Sequence, residues 1–168
     1  MVKWSEIIVE TVRAYHGSSS GVSDPTFIMG HTGSNSHTFG HYQSQRWGAF
    51  FSDNPDFSRM YGAPVAYDLN VHHTCQLEND NTIWNFVQSF DPHDPEQRNL
   101  WQDAVAIMRS NRYWQLFEDE VGERFTAYLK ELGYDSASFV EYSEDDHGTE
   151  HRSHSVVVLD PSLIKRVG

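Results

Sequence analysis

The chain has 168 residues, 38% hydrophobic and 14% aromatic, which suffices for one buried core and excludes a disordered chain. Its formal net charge of −12 disfavours contact with a phosphate backbone, so direct nucleic-acid binding is not expected, while basic partners are favoured. The single Cys75 rules out an internal disulfide, and no run of about eighteen apolar residues offers a membrane span. The expectation is one domain over residues 1–168, in a reducing cytoplasm, with no membrane contact.

Residues 1–10 carry acids and lack the long apolar core of a secretory leader. A short helical turn is expected first, then a strand from the alternating run 7–14, ending at His16. Gly17 follows, and a glycine there lets the backbone come close to a ligand. The chain then turns out into the polar stretch 18–21. Residues 18–46 are rich in Gly, Ser, Thr and His and read as a long loop interrupted at 27–29. Loops of that length inside a domain are often functional. Gln45 and Arg46 close it, within reach of a phosphate.

Ala49, Phe50 and Phe51 predict a buried strand. Ser52, Asp53, Asn54 and Pro55 end it. Asp53 or Asn54 is placed to cap a short helix with Pro55 at its first position. On that helix Ser58 and Tyr61 lie three apart and share a face. Two aromatic faces and a small hydroxyl suit a flat, amide-bearing heterocycle. Taken alone, the same aromatics also suit a packed corner between strand and helix.

Residues 64–71 alternate as a strand. His72, His73 and Cys75 follow, but no spacing closes a metal site, so no metal is expected. Three helices are predicted at 81–90, 96–110 and 113–132, their apolar stripes assigned to core. Gly133 fits the position just past a helix end. Residues 133–142 read as a strand, 143–149 as an acidic turn and 153–159 as the return strand, closed by Asp160 and Pro161. The fold class is α+β.

Two groups of residues carry a family likeness. His16-Gly17-Ser18 at a strand end, then Phe50 eleven positions before Tyr61, with Ser58 three before Tyr61, resembles the ADP-ribosyltransferase superfamily. The likeness is to its His-Tyr-Glu branch, that of diphtheria toxin and the poly(ADP-ribose) polymerases. Independently, Leu132-Gly133-Tyr134-Asp135, a strand, an acidic turn with His147-Gly148-Thr149, and a strand closed by Asp160-Pro161 is similar to small phage-type enzymes of that superfamily, an anti-CRISPR enzyme among them.

The resemblance implies split antiparallel β-sheets with flanking helices. It implies NAD as co-substrate and mono-ADP-ribosyl transfer to a macromolecular acceptor, expected to be a protein, by a phage or bacterial effector acting in a host cytoplasm. His16, Gly17, Ser18, Phe50, Phe51, Ser58 and Tyr61 would bind NAD. Gly17 and Ser58 would hold the nicotinamide amide, Tyr61 would stack on its ring with Phe50 or Phe51 opposite, and His16 would bond the adenosine ribose. Catalytic roles fall to His16, Tyr61 and an acid.

One departure matters. Many members carry the catalytic Glu about five residues before the Asp that closes the last strand, and that position here is Ser155. A carboxylate near the ribose is needed to stabilise developing positive charge. Counting forward from Gly133-Tyr134 selects Glu141, roughly across a hairpin from Ser155. Counting back from His147-Gly148 selects Asp145 instead. Glu141 is the first choice and Asp145 the second. With neither in reach, the chain would bind NAD without turning it over. The alternatives are an NAD glycohydrolase and an acidic, non-catalytic decoy that blocks a basic partner. An RNA 2′-phosphotransferase shares the fold but needs a basic phosphate site.

Overall fold

The computed structural model describes residues 11–18, 31–34, 43–79 and 81–167. Nine strands are formed among them: β1 (Val12–Ser18), β2 (His31–Ser34), β3 (Gln43–Arg46), β4 (Ala49–Ser52), β5 (Ala63–Leu69), β6 (Thr74–Gln76), β7 (Ser136–Glu144), β8 (Glu150–Val158) and β9 (Ile164–Arg166). Four α-helices accompany them: α1 (Pro55–Arg59), α2 (Thr82–Gln88), α3 (Pro95–Ser110) and α4 (Asp119–Glu131). Short 3-10 turns lie at Tyr113–Phe117 and Pro161–Leu163. Seven strands make one mixed sheet in the order β6-β7-β8-β4-β1-β5-β9, with only β6 and β7 parallel, and β2-β3 form a separate antiparallel ribbon. The class is α+β. The expected split into two sheets gives way to one continuous sheet with a narrow waist: β4 and β1 are paired at a single position, Tyr15 with Ser52.

Side-chain alternation sends neighbouring residues to opposite faces. On β8, Val157 joins a core under the helices, while Val158 joins a smaller core on the other face. The helix-side core holds Phe86, Phe117, Phe125, Leu129, Ala137 and Phe139, all at most 2% exposed. Phe125 sits edge-on to Phe86 at 4.9 Å and to Phe117 at 5.5 Å. Each fully buried ring or branched chain stabilises by roughly 1.5–3 kcal/mol. The opposite core gathers Ala14, Phe51, Tyr67 and Leu69.

Local signals set most element ends. Asn54, not Asp53, caps α1, accepting from the Asp56 amide at 3.0 Å, and Pro55 takes the first turn. Asp94 does the same for α3. Gly133 takes φ +90° past α4, with its amide on the Lys130 carbonyl and the Tyr134 amide on Leu129, a Schellman closure.

Two expectations are corrected. Residues 113–132 are not one helix: a 3-10 turn and an extended Glu118 precede α4, whose first residue, Asp119, is left-handed (φ 55°). The Phe117 carbonyl leaves the helical ladder to accept from the Trp47 amide at 2.9 Å, and Glu118 bridges Arg46 in strand fashion. The long loop of 18–46 contains the β2-β3 ribbon, in which Gly33 pairs with Ser44 and Thr32 with Gln45. The helical turn expected first, the start of the strand expected from residue 7 and the break at 27–29 lie outside the described residues; the rest of that strand is β1, which runs past His16 to Ser18. Among the described residues no helix is long and apolar enough to cross a membrane.

Candidate active site

A cleft of about 1450 Å³ opens at the waist of the sheet. Its lining includes Tyr15, His16 and Gly17 of β1, Arg46 of β3, Phe50 to Ser52 of β4, Ser58 and Tyr61 at α1, and Glu141 and Ser155 from the hairpin β7-β8. The far wall is formed by residues of α3 and of the segment leading into α4, among them Asn99, Asp103, Trp114 and Glu118. Small-molecule pockets usually span roughly 300–1,000 Å³, so this cleft has room for a dinucleotide and part of a second reactant.

His16 explains the waist. Beyond the Tyr15–Ser52 pair, β1 and β4 make no further ladder pairing. The imidazole Nδ1 instead reaches the Phe50 carbonyl at 2.9 Å, where a ladder amide would otherwise donate. A carbonyl only accepts, so Nδ1 carries the proton and Nε2 of the neutral ring is an acceptor. Burial pushes the His16 pKa below its ordinary value, against the carbonyl hydrogen bond, and Arg46 lowers it further. The ring therefore stays neutral at physiological pH. It also packs against Phe51 at 5.8 Å and Tyr67 at 6.5 Å.

The two phenylalanines divide. Phe51 is 2% exposed and packs edge-on to Tyr67 at 5.5 Å in the core away from the helices. Phe50 points to the other face, edge-on to Phe117 at 5.9 Å, with the Arg46 guanidinium 5.1 Å above its ring. Strand alternation thus sends the two rings to opposite faces of the sheet, although both residues line the cleft. Tyr61 is backed by Phe57 at 5.8 Å, a neighbour four residues back that the helical spacing of this segment could have found. Its phenol is pushed up by burial and by Glu141, and Arg46 partly offsets this.

Gly17 lines the cleft and has a packing role besides. A methyl group there would lie 2.0 Å from the Ser58 carbonyl oxygen and 3.2 Å from that of Gly62. Its missing side chain lets α1 sit directly on β1. Ser58 completes the join by donating its hydroxyl to the Tyr15 carbonyl at 3.1 Å. That leaves the Ser58 oxygen to accept, the right sense for a ligand –NH2 group. Ser18 closes β1, and its side chain lies outside the described residues.

The two candidate acids are clearly separated. Glu141 lines the cleft and accepts from the Ser155 hydroxyl at 2.7 Å. Ser153, rather than Ser155, is its direct partner across the hairpin, so Ser155 reaches it on the diagonal. Burial pushes the Glu141 pKa up, while the Ser155 hydrogen bond and the Arg46 charge pull it back. Asp145 lies four residues further along, about 13 Å at strand rise. Its carboxylate closes the turn, accepting from the amides of His147 (2.9 Å) and Thr149 (3.0 Å) and bonding His151 Nε2 at 2.8 Å. These contacts, the His151 bond first, hold its pKa down to about 2. It is not part of the cleft lining.

Cys75 is buried beside Thr82, and among the described residues no group of three or more His, Cys, Asp or Glu could hold a metal ion. Comparison of the chain with protein-family models, with curated proteins and with solved structures finds no match.

Proposed function

We propose that the chain is an NAD-dependent mono-ADP-ribosyltransferase of the His-Tyr-Glu type, acting on a macromolecular acceptor, expected to be a protein. The observation that carries this reading is convergence. His16 of β1, Ser58 and Tyr61 at α1, and Glu141 of β7 come from three separate segments, and all line one cleft. A desolvated carboxylate, a neutral imidazole and an aromatic ring are the groups that the chemistry needs.

In the reaction the bond between nicotinamide nitrogen and ribose C1′ breaks, and its electron pair leaves with nicotinamide. The acceptor nucleophile forms the new bond at C1′ and gives up its proton. Positive charge develops on the ribose between these events. In its ionised form Glu141, desolvated in the cleft, stabilises that charge more strongly than a solvated acid would. Tyr61 offers a face to the nicotinamide, Ser58 accepts from its amide, and the His16 Nε2 accepts from a ribose hydroxyl. Arg46, beside Glu141 and over Phe50, has the charge to pair with the pyrophosphate.

Incubation of the protein with labelled NAD and a cell lysate tests the reading. Label is expected on a protein. Label on nucleic acid would change the acceptor class, and nicotinamide release without labelling would make the chain a glycohydrolase. No reaction and no NAD binding would leave the acidic decoy. Two variants locate the pocket. Tyr61→Ala weakens NAD binding by roughly 1–3 kcal/mol, the scale of a stacking contact; calorimetry showing unchanged affinity removes Tyr61 from the site. His16→Ala raises the KM for NAD by a larger factor than any loss of folded fraction explains. A variant that melts early but binds NAD normally when folded would reduce His16 to a spacer between β1 and β4.

A further inference from the structure

Behind Glu141 runs a row of buried hydroxyls. Ser155 donates to the Glu141 Oε1 at 2.7 Å. Ser155 and Ser153 lie 2.7 Å apart, and Ser153 and Ser52 2.5 Å apart, oxygen to oxygen. Ser52 accepts from the Asn54 amide at 3.0 Å. The three serines are at most 3% exposed. They occupy the sheet face that carries Phe139 and Val157, where apolar side chains would pack without any hydroxyl to satisfy.

We propose that Ser52, Ser153 and Ser155 form a one-way hydrogen-bond chain that positions the Glu141 carboxylate and ties it to the cap of α1. The direction follows from counting hydrogens. An ionised carboxylate only accepts, so Ser155 gives Glu141 its one hydrogen. The Ser155 oxygen then accepts from Ser153, and Ser153 accepts from Ser52. The Asn54 amide donates into the far end. The other acceptor open to Ser52, the Asn54 carbonyl, is longer at 3.2 Å. Hydrogen bonds aligned in one sense polarise one another, so the donor that meets Glu141 is stronger than an isolated serine. Asn54 also caps the helix carrying Ser58, just ahead of Tyr61. Acid and aromatic are thereby held in one frame, although they stand 80 positions apart in the chain (141 − 61).

This assignment rests on the transferase reading only for what Glu141 does; the hydrogen-bond chain can be tested without NAD. The probe is the full chain with 13C-labelled glutamate carboxyls, titrated by NMR, with the Glu141 signal assigned from Glu141→Gln. The charged and titratable groups that share the cleft with Glu141 are Tyr15 and His16 on β1, Arg46 on β3, Tyr61 after α1, Glu96 and Asp103 on α3, Arg112 and Glu118 before α4, Asp119 and Glu120 at its start, and Tyr142 on β7, and all stay unchanged. Ser155→Ala moves the Glu141 midpoint to higher pH. Ser153→Ala moves it the same way by less, and Ser52→Ala by less again, while Ser52→Thr keeps the hydroxyl and the normal midpoint. A purely structural role would lower melting temperatures without this graded shift. Midpoints in Ser153→Ala and Ser52→Ala equal to that of the unmodified chain would overturn the proposal, and Ser52→Ala alone decides should Ser153→Ala not fold. In turnover, Ser155→Ala lowers kcat roughly tenfold or more at unchanged KM and moves the acid limb of the rate profile upward. Graded midpoints in a protein that never consumes NAD would keep the hydrogen-bond chain and end the transferase reading. NAD turnover with unmoved midpoints would do the reverse.

Discussion

Glu141→Gln lowers NAD turnover by on the order of a hundredfold or more and leaves NAD affinity nearly unchanged. The substitution keeps the shape and removes the charge, and a charge that acts on the developing cation acts in the transition state. The stability change separates this acid from a structural one. Burial raises the folded-state pKa of Glu141 above its unfolded value. The folded state then holds the proton more tightly, so stability falls as pH rises through the window between the two values. Above that window the ionised carboxylate is therefore a burden on the fold, and there Glu141→Gln melts no lower than the unmodified chain, and higher if the hydroxyl chain keeps its geometry. The rate of the unmodified protein falls on the acid side at a pH above the usual carboxylate range. Asp145 has the opposite signature. Its folded-state pKa is depressed to about 2, so its contribution is present above the unfolded value near 3.9 and is lost as pH falls toward 2. Asp145→Asn should lower melting temperature and leave turnover intact. Full activity in Glu141→Gln, or abolished activity in a well-folded Asp145→Asn, would remove Glu141 from the chemistry.

What was legible in the sequence was local. The cap and Pro55 of α1, the three-residue spacing of Ser58 and Tyr61, and the closure at Gly133 all follow from residues within a few positions of one another. That Glu141 lies beside Ser155 and away from Asp145 needed only an approximate hairpin register, which β7 and β8 supply with Ser153 as the direct partner. What stayed hidden depends on distant segments. The break after Phe117 is imposed by the Trp47 amide and the Arg46 bridge, seventy residues earlier, and no periodicity in 113–132 reports it. The β2-β3 ribbon lacks an apolar stripe, so its composition resembles a loop. The sequence leaves open whether Phe50 or Phe51 stands opposite Tyr61; adjacent strand residues point apart, so the two rings enter different cores, and that rule is available from the sequence. The serines had a readable signal too: Ser153 and Ser155 alternate with His154 in a strand that runs on into Val156 to Val158, placing small polar groups on a face that should be apolar.

Gly17→Ala should be the most damaging single change outside the chemistry. The new methyl would lie 2.0 Å from the Ser58 carbonyl oxygen, far inside contact distance, and both atoms belong to backbone that is fixed on each side. β1 is paired with β5 along Val12–Ser18, and α1 is held by the Asn54 cap and by the Ser58 hydroxyl on the Tyr15 carbonyl. No flexible side chain can yield, so α1 must move. Overpacking of a fixed core costs about 1–3 kcal/mol, occasionally more, and this contact belongs at the upper end. For a chain of this length that corresponds to a fall in melting temperature of roughly 6–12 °C. A second consequence follows, because α1 carries Ser58 and leads to Tyr61: the folded fraction of Gly17→Ala should bind NAD more weakly even after correction for stability. A glycine needed only for ligand approach predicts a different pair of results, with affinity lost and melting temperature unchanged. Calorimetry and thermal melting on the same sample distinguish the two, and an unchanged melting temperature would show that β1 and α1 do not meet at Gly17.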